Sequence, residues 1–112
     1  MHSPELLKGT LQTIILKLLA DHGKMYGYEI TQKVRDLSDE SLQLTEGSLY
    51  PTLHKLEAQG LLKTKKISLG KRVRKYYFLT SIGQNTAIKK VEDFEAFIKT
   101  MFRVLQISPQ SI

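Results

Sequence analysis

Cysteine is absent from this 112-residue chain, which excludes disulfides and thiolate metal sites and suits a reducing compartment. No apolar run approaches the ~18 residues that a membrane span requires. The opening Met1-His2-Ser3-Pro4-Glu5 has neither the basic segment nor the apolar run of a secretory signal. A soluble, cytoplasmic protein with no membrane partner is expected. Histidine is scarce, and His2, His22 and His54 have no second His, Asp or Glu at a convincing ligand spacing, so no metal is expected. Gly27 and Gly70 are isolated and form no phosphate-cradling pattern. Ser48 has no evident base partner for nucleophilic attack. With no constellation that could perform chemistry, the sequence predicts no enzyme and no cofactor. Internal repeats and low-complexity tracts are also missing.

What is present is charge, and it is concentrated. The chain carries 17 Lys and Arg against 11 Asp and Glu, for a formal net charge of +6. Residues 63–75 hold Lys63, Lys65, Lys66, Lys71, Arg72, Arg74 and Lys75 with no acid among them. The remaining ten bases are outnumbered by eleven acids, so the whole positive excess sits in one short segment. A scattered excess speaks only of solubility. A concentrated one is the electrostatic footprint of a polyanion binder.

The order of elements reads as helix, helix, helix, hairpin, long helix, within one domain. Ser3-Pro4-Glu5 is a helix start, with Ser at the N-cap and Pro at the first helical position. Leu7, Leu11, Ile14, Ile15, Leu18 and Leu19 then recur at helical spacing, and Gly23 caps the end. A second helix is predicted from about Tyr26 to Leu37, with Tyr26, Ile30, Val34 and Leu37 on one face. A third follows the N-cap Thr45, buries Leu49, Leu53 and Leu56, and stops at Gly60. Pro51 predicts a kink or a non-helical first turn, because it removes a bond to the Gly47 carbonyl. Leu62 to Leu69 and Val73 to Leu79 read as two strands joined by Gly70-Lys71-Arg72. The last helix runs from about Ile82 to Leu105 after the cap Thr80-Ser81.

Two short helices joined by a polar connection are compatible with a helix-turn-helix, whose second member lies in the major groove. With the leucines inward, Ser48, Thr52 and Lys55 fall on the other side, flanked by Glu46, Tyr50, Pro51 and His54. Hydroxyls and a cation there could reach bases or phosphates. The basic hairpin that follows would form a wing, with Lys71 and Arg72 at its tip and Arg74 and Lys75 bracing it. Tyr76 and Tyr77 point to opposite faces of their strand. One is core, and the other could bond phosphate; periodicity does not say which.

These residues resemble the PadR family of bacterial transcriptional regulators. The resemblance rests on Tyr26-Gly27-Tyr28-Glu29-Ile30, Glu46-Gly47-Ser48-Leu49-Tyr50-Pro51-Thr52-Leu53, Leu56-Glu57-Ala58-Gln59-Gly60-Leu61 and Arg74-Lys75-Tyr76-Tyr77-Phe78-Leu79-Thr80, with Gly83 beyond. It covers roughly Leu6 to Phe102 and implies a mainly α winged helix-turn-helix with a small β-hairpin and a C-terminal dimerisation helix. It implies binding to palindromic operators in double-stranded DNA, usually as a repressor. Family DNA contacts carry over to Ser48, Tyr50, Thr52, Lys55, Arg74 and Lys75. The short wing tip Gly70-Lys71-Arg72-Val73 departs from members with a longer glycine-rich loop. Residues 1–80 would be the DNA-binding part and residues 81–112 the dimerisation helix and tail, as in the compact branch of the family.

Ala87, Val91, Phe94, Ile98, Met101 and Leu105 form a heptad-like seam on the last helix. Three other helices cannot cover so much apolar surface, so a homodimer is expected, with Leu7 and Leu11 of the first helix contributing. In the compact branch, the dimer interface can leave an apolar pore for flat aromatic or drug-like effectors. Phe94, Phe97 and Met101 would line such a pore here, with Leu11 or Ile15 opposite. The competing function is a dimeric module that binds a protein or RNA on the same scaffold.

Overall fold

Four helices and a three-stranded sheet make up residues 3–111, the part of the chain that the computed structural model describes. In chain order these are α1 (Pro4–His22), β1 (Lys24–Tyr26), α2 (Gly27–Leu37), α3 (Glu46–Ala58), β2 (Leu62–Leu69), β3 (Arg72–Leu79) and α4 (Ser81–Leu105), followed by a 3-10 turn, Pro109–Ser111. The fold is the expected winged helix, with one strand more than the sequence reading supplied.

Local chemistry sets the boundaries. Ser3 Oγ accepts from the Glu5 N–H at the start of α1, and Pro4 occupies the first helical position. Gly23 ends α1 at φ +83°, a conformation natural to glycine. Thr45 caps α3 by accepting from the Ser48 N–H at 3.2 Å, and Thr80 caps α4 by accepting from the Gly83 N–H at 3.0 Å. α3 ends in a Schellman motif: the Gly60 N–H donates to Glu57 O and the Leu61 N–H to Leu56 O, with Gly60 at φ +77°. The first turn of α3 is helical, and the helix continues past Pro51. The carbonyl that Pro51 deprives of a partner belongs to Gly47, which is exposed, so water can serve it.

The strand missed from sequence is β1. Three residues after a glycine carry too little pattern to register as a strand, yet they pair antiparallel with β3, Met25 opposite Tyr77 and Tyr26 opposite Tyr76. The sheet order is β1-β3-β2. Residues opposite one another share a face, so the register divides the sheet. Met25, Leu62, Thr64, Tyr77 and Leu79 look inward, and Lys24, Tyr26, Lys63, Lys65, Tyr76 and Phe78 look outward. This settles the tyrosine pair: Tyr77 is core and Tyr76 is half exposed.

The core joins Leu11, Ile15, Leu16, Leu18 and Leu19 of α1 to Ile30 and Val34, to Leu49, Leu53 and Leu56, and to the inner sheet face. Leu37, expected on the apolar face of α2, lies at the last turn, beyond the core, and is exposed. On α4 only Gly83 and Ala87 are buried. The rest of this 25-residue helix runs on past the core, and the molecule measures 54 × 29 × 21 Å along its principal axes.

Candidate nucleic-acid interface

α3, the helix expected to enter the groove, offers less free chemistry than its sequence suggests. Ser48 and Thr52 are half-buried, while Glu46, Gly47, Pro51, His54, Lys55 and Ala58 are the exposed residues of α3. The hydroxyl protons are already placed: Ser48 Oγ donates to Thr45 O at 3.0 Å, and Thr52 Oγ1 donates to Ser48 O at 2.9 Å. What both hydroxyls present outward is acceptor capacity, suited to amino groups such as those of cytosine and adenine. Both also line a cavity of about 540 Å³, with Pro4, Leu7, Lys8 and Leu11 of α1 opposite.

Tyr50, expected among the DNA contacts, is half-buried. Its ring packs on the core, and its hydroxyl closes on Gly27, the first residue of α2. Any side chain at Gly27 would strike that hydroxyl. Tyr50 is therefore a joint between the two helices of the motif before it is anything else. Glu29, one turn along, accepts from the Tyr26 N–H at 3.1 Å and fixes the start of α2.

The wing is a two-residue hairpin, Gly70-Lys71, with Gly70 at φ +66°. Lys71 and Arg72 are exposed at its tip. Arg74 and Lys75 point to opposite faces. Arg74 stacks its guanidinium 4.1 Å from the ring centroid of Tyr26 on the outer face. Lys75 lies on the inner face, its ammonium 5.4 Å from the Tyr77 ring. That inner face is the one toward α3, because Thr64 Oγ1 donates to Glu57 Oε2 of α3 at 3.3 Å. Directly across from Lys75 stands Lys66. Composition had placed Lys66 in the basic run, but only the register brings it to the reading-helix side. Like charges face to face on a ladder are unfavourable unless an anion lies between them. The Tyr77 phenol is raised above its ordinary value by burial first, then by Tyr50 and Glu57.

The expected dimer and effector residues divide into two groups. Val91, Phe94, Ile98 and Met101 are half-buried on α4, and Leu105 is exposed. Phe94 and Phe97 line a groove of about 690 Å³ whose other wall is Leu6, Leu7, Thr10 and Thr13 of α1. Their rings are 6.5 Å apart and tilted by 34°. Leu11 and Ile15 do not join them. At 4% and 0% exposure they are spent on the core of their own chain, because α1 turns that face to α3 and the sheet. The wall facing the phenylalanines is one helical face away, and Met101 lies outside the groove lining. Among the described residues no group of three His, Asp or Glu side chains could hold a metal; His2 lies outside them.

Residues 15–89 match the model of the transcriptional regulator PadR-like family. The chain is 35% identical over 80 residues to Transcriptional regulator Rv3488 of Mycobacterium tuberculosis, with 71% of each chain covered. Among solved structures it resembles a transcriptional regulator from Clostridium thermocellum, with a TM-score of 0.83 and 32% identity over 92% of this chain and 97% of that one. A PadR family transcriptional regulator from Eggerthella lenta superposes with a TM-score of 0.77 at 28% identity, covering 93% and 88%. Helix pair, wing and sequence motifs thus coincide with one family along most of the chain, and the protein belongs to the PadR-like family of transcriptional regulators.

Proposed function

We propose that this DNA-binding regulator is a cytoplasmic repressor that grips a palindromic operator as a homodimer. The observation that carries the reading is the pairing of Lys66 with Lys75 on the hairpin face turned toward α3. An electrostatic penalty held beside a reading helix is relieved when a phosphate backbone lies against both. Exposed Lys71 and Arg72 extend the cationic strip to the tip. Ser48, Thr52 and Lys55 read the groove, and residues 1–80 form the reading head. Residues 81–112 provide the dimerisation arm. In support of the dimer, Phe97 is 56% exposed, Leu105 60% and Leu6 68%. A second copy is the simplest cover for so much apolar surface, and two-fold symmetry suits a palindrome. The groove holding Phe94 and Phe97 would then become an enclosed site for a flat aromatic effector that releases the operator.

Fluorescence anisotropy on duplex DNA from the chain's own promoter, titrated across salt, tests the reading together with light scattering. A dimer is expected, with a log–log salt slope growing by ~0.9 for each phosphate neutralised. Lys71→Ala should weaken binding to specific and non-specific duplexes alike, and Thr52→Ala should act on the specific site. A monomer that ignores duplex DNA even in dilute buffer would overturn it. For the effector, an aromatic compound that raises Tm should lose its effect in Phe97→Ala.

A further inference from the structure

We propose that the outer face of the sheet is a second nucleic-acid surface, one that takes a single-stranded stretch of RNA or unpaired DNA. This surface is separate from α3 and from the inner face of the wing. Three aromatic rings occupy it. Tyr76 and Phe78 stand two residues apart on the central strand, so both project outward, roughly 6.8 Å apart along the chain. Tyr26 lies beside Tyr76 on β1, with ring centroids 5.5 Å apart and planes at 81°. All three rings are half exposed.

Cations frame the rings on both sides. Phe78 sits between Lys24 on β1 and Lys63 on β2, and Tyr76 lies opposite Lys65. The three lysines are exposed, and no Asp or Glu stands on this face of the sheet. The Lys24 ammonium is 5.3 Å from the Tyr76 ring centroid, and the Arg74 guanidinium is 4.1 Å from that of Tyr26. Phe78 has no aromatic or cationic ring partner among the described residues.

The chemistry selects the occupant. Four cations alone, Lys24, Lys63, Lys65 and Arg74, would suit any polyanion. Partly exposed aromatic side chains set among them add a preference for flat partners, and a guanidinium over a ring can extend the same platform. In a duplex the base faces are hidden in the stack. In a single strand they are free, and the phosphates between them meet the flanking lysines. An acidic peptide would satisfy the lysines and leave the rings unused.

Anisotropy with labelled single strands of about 12 nucleotides, oligothymidine and oligouridine, tests this. The 112-residue protein should bind at least one of them, with a salt slope of ~0.7 per phosphate contacted. An abasic strand of equal length should bind at least about fivefold more weakly, because it keeps the phosphates and lacks the bases. Tyr76→Leu should weaken single-strand binding by roughly fivefold to a hundredfold and leave promoter-duplex affinity unchanged. Lys63→Glu with Lys65→Glu should weaken single-strand binding through charge. Absence of binding to both strands would overturn the proposal, as would equal affinity for the abasic strand or for an oligoglutamate of equal charge. Parallel loss of duplex and single-strand binding in the folded Tyr76→Leu protein would make this face part of the duplex footprint, which also overturns it. Should that variant fail to fold, the abasic comparison on the native protein decides alone.

Discussion

The hydroxyl of Tyr50 closes on Gly27, so that α3 and α2 meet at a point where a β-carbon on residue 27 would strike that hydroxyl. The contact lies at the N-terminus of α2, whose first residue is itself buried. It sets the spacing of the two helices of the motif. Gly27→Ala should destabilise the fold by about 1–3 kcal/mol, the usual cost of forcing extra atoms into packed space. The obstacle is the far end of a side chain, so Tyr50→Ala should rescue part of that loss. Urea titrations of the two single variants and the double variant would measure the coupling. Additive effects would mean that the two residues do not share this joint.

The facing lysines on the wing set stability against binding. Replacing Lys66 by Glu puts an opposite charge across from Lys75 and should raise the stability of the free protein by ~0.2–1 kcal/mol at low salt. The same change should lower duplex affinity and reduce the salt slope by about 0.9 or more, since at least one phosphate contact is lost. Thermal melts and anisotropy on one protein preparation would read both effects. A variant that is more stable and still binds DNA normally would remove Lys66 and Lys75 from the interface.

Most of the architecture was legible in the residues because each boundary has a local chemical cause. Ser3 with Pro4, Thr45, Gly60 and Thr80 all cap where their side chains or backbone freedom dictate. The apolar spacing of α1 and α3 named their core residues. What stayed hidden depends on pairing across the chain. β1 is too short to show a period, and it becomes a strand only because β3 offers it an edge. The opposite orientation of Arg74 and Lys75 follows from strand alternation, but the side that faces α3 is fixed by the Thr64–Glu57 contact. Apolar content marked α1 as suitable for an interface, yet could not tell Leu6 and Leu7 from Leu11 and Ile15. Those pairs differ only in which side of one helix meets the core. Tyr50 was read as polar surface because its motif carries no sign of the glycine it abuts.

Gly83 offers a stricter version of the constraint at Gly27. Its position in α4 brings it against the carbonyl of Leu61, which also accepts from the Thr80 N–H at 3.0 Å and from Thr80 Oγ1 at 3.2 Å. A side chain there meets backbone that is already tied down. Gly83→Ala should therefore cost more than Gly27→Ala, at or above the ~3 kcal/mol end of the overpacking range. Trimming the neighbouring Leu79 should not rescue it. Thr80→Val, which loses the cap but keeps the shape, should cost ~1 kcal/mol. Equal losses for the two glycine variants in urea would contradict the difference between a yielding hydroxyl and a fixed carbonyl.

Tyr77 links the same packing to alkaline pH. Burial, reinforced by Tyr50 and Glu57, raises its phenol above the ordinary 10.0. The neutral form is the one the fold accepts, so the folded state holds this proton more tightly than the unfolded chain does. Linkage then gives the sign: stability is complete below pH 10 and falls as pH rises from there through the folded-state value. Tyr77→Phe keeps the ring and cannot ionise. Its stability should fall less steeply than that of the native protein between pH 10 and the folded-state value, whatever the other tyrosines and the lysines contribute in common. Urea midpoints collected at intervals from pH 8 upward, for the two proteins side by side, supply the comparison. Parallel curves would mean that the Tyr77 phenol titrates alike in the folded and unfolded chain, and that the inner sheet face is open to water at that ring.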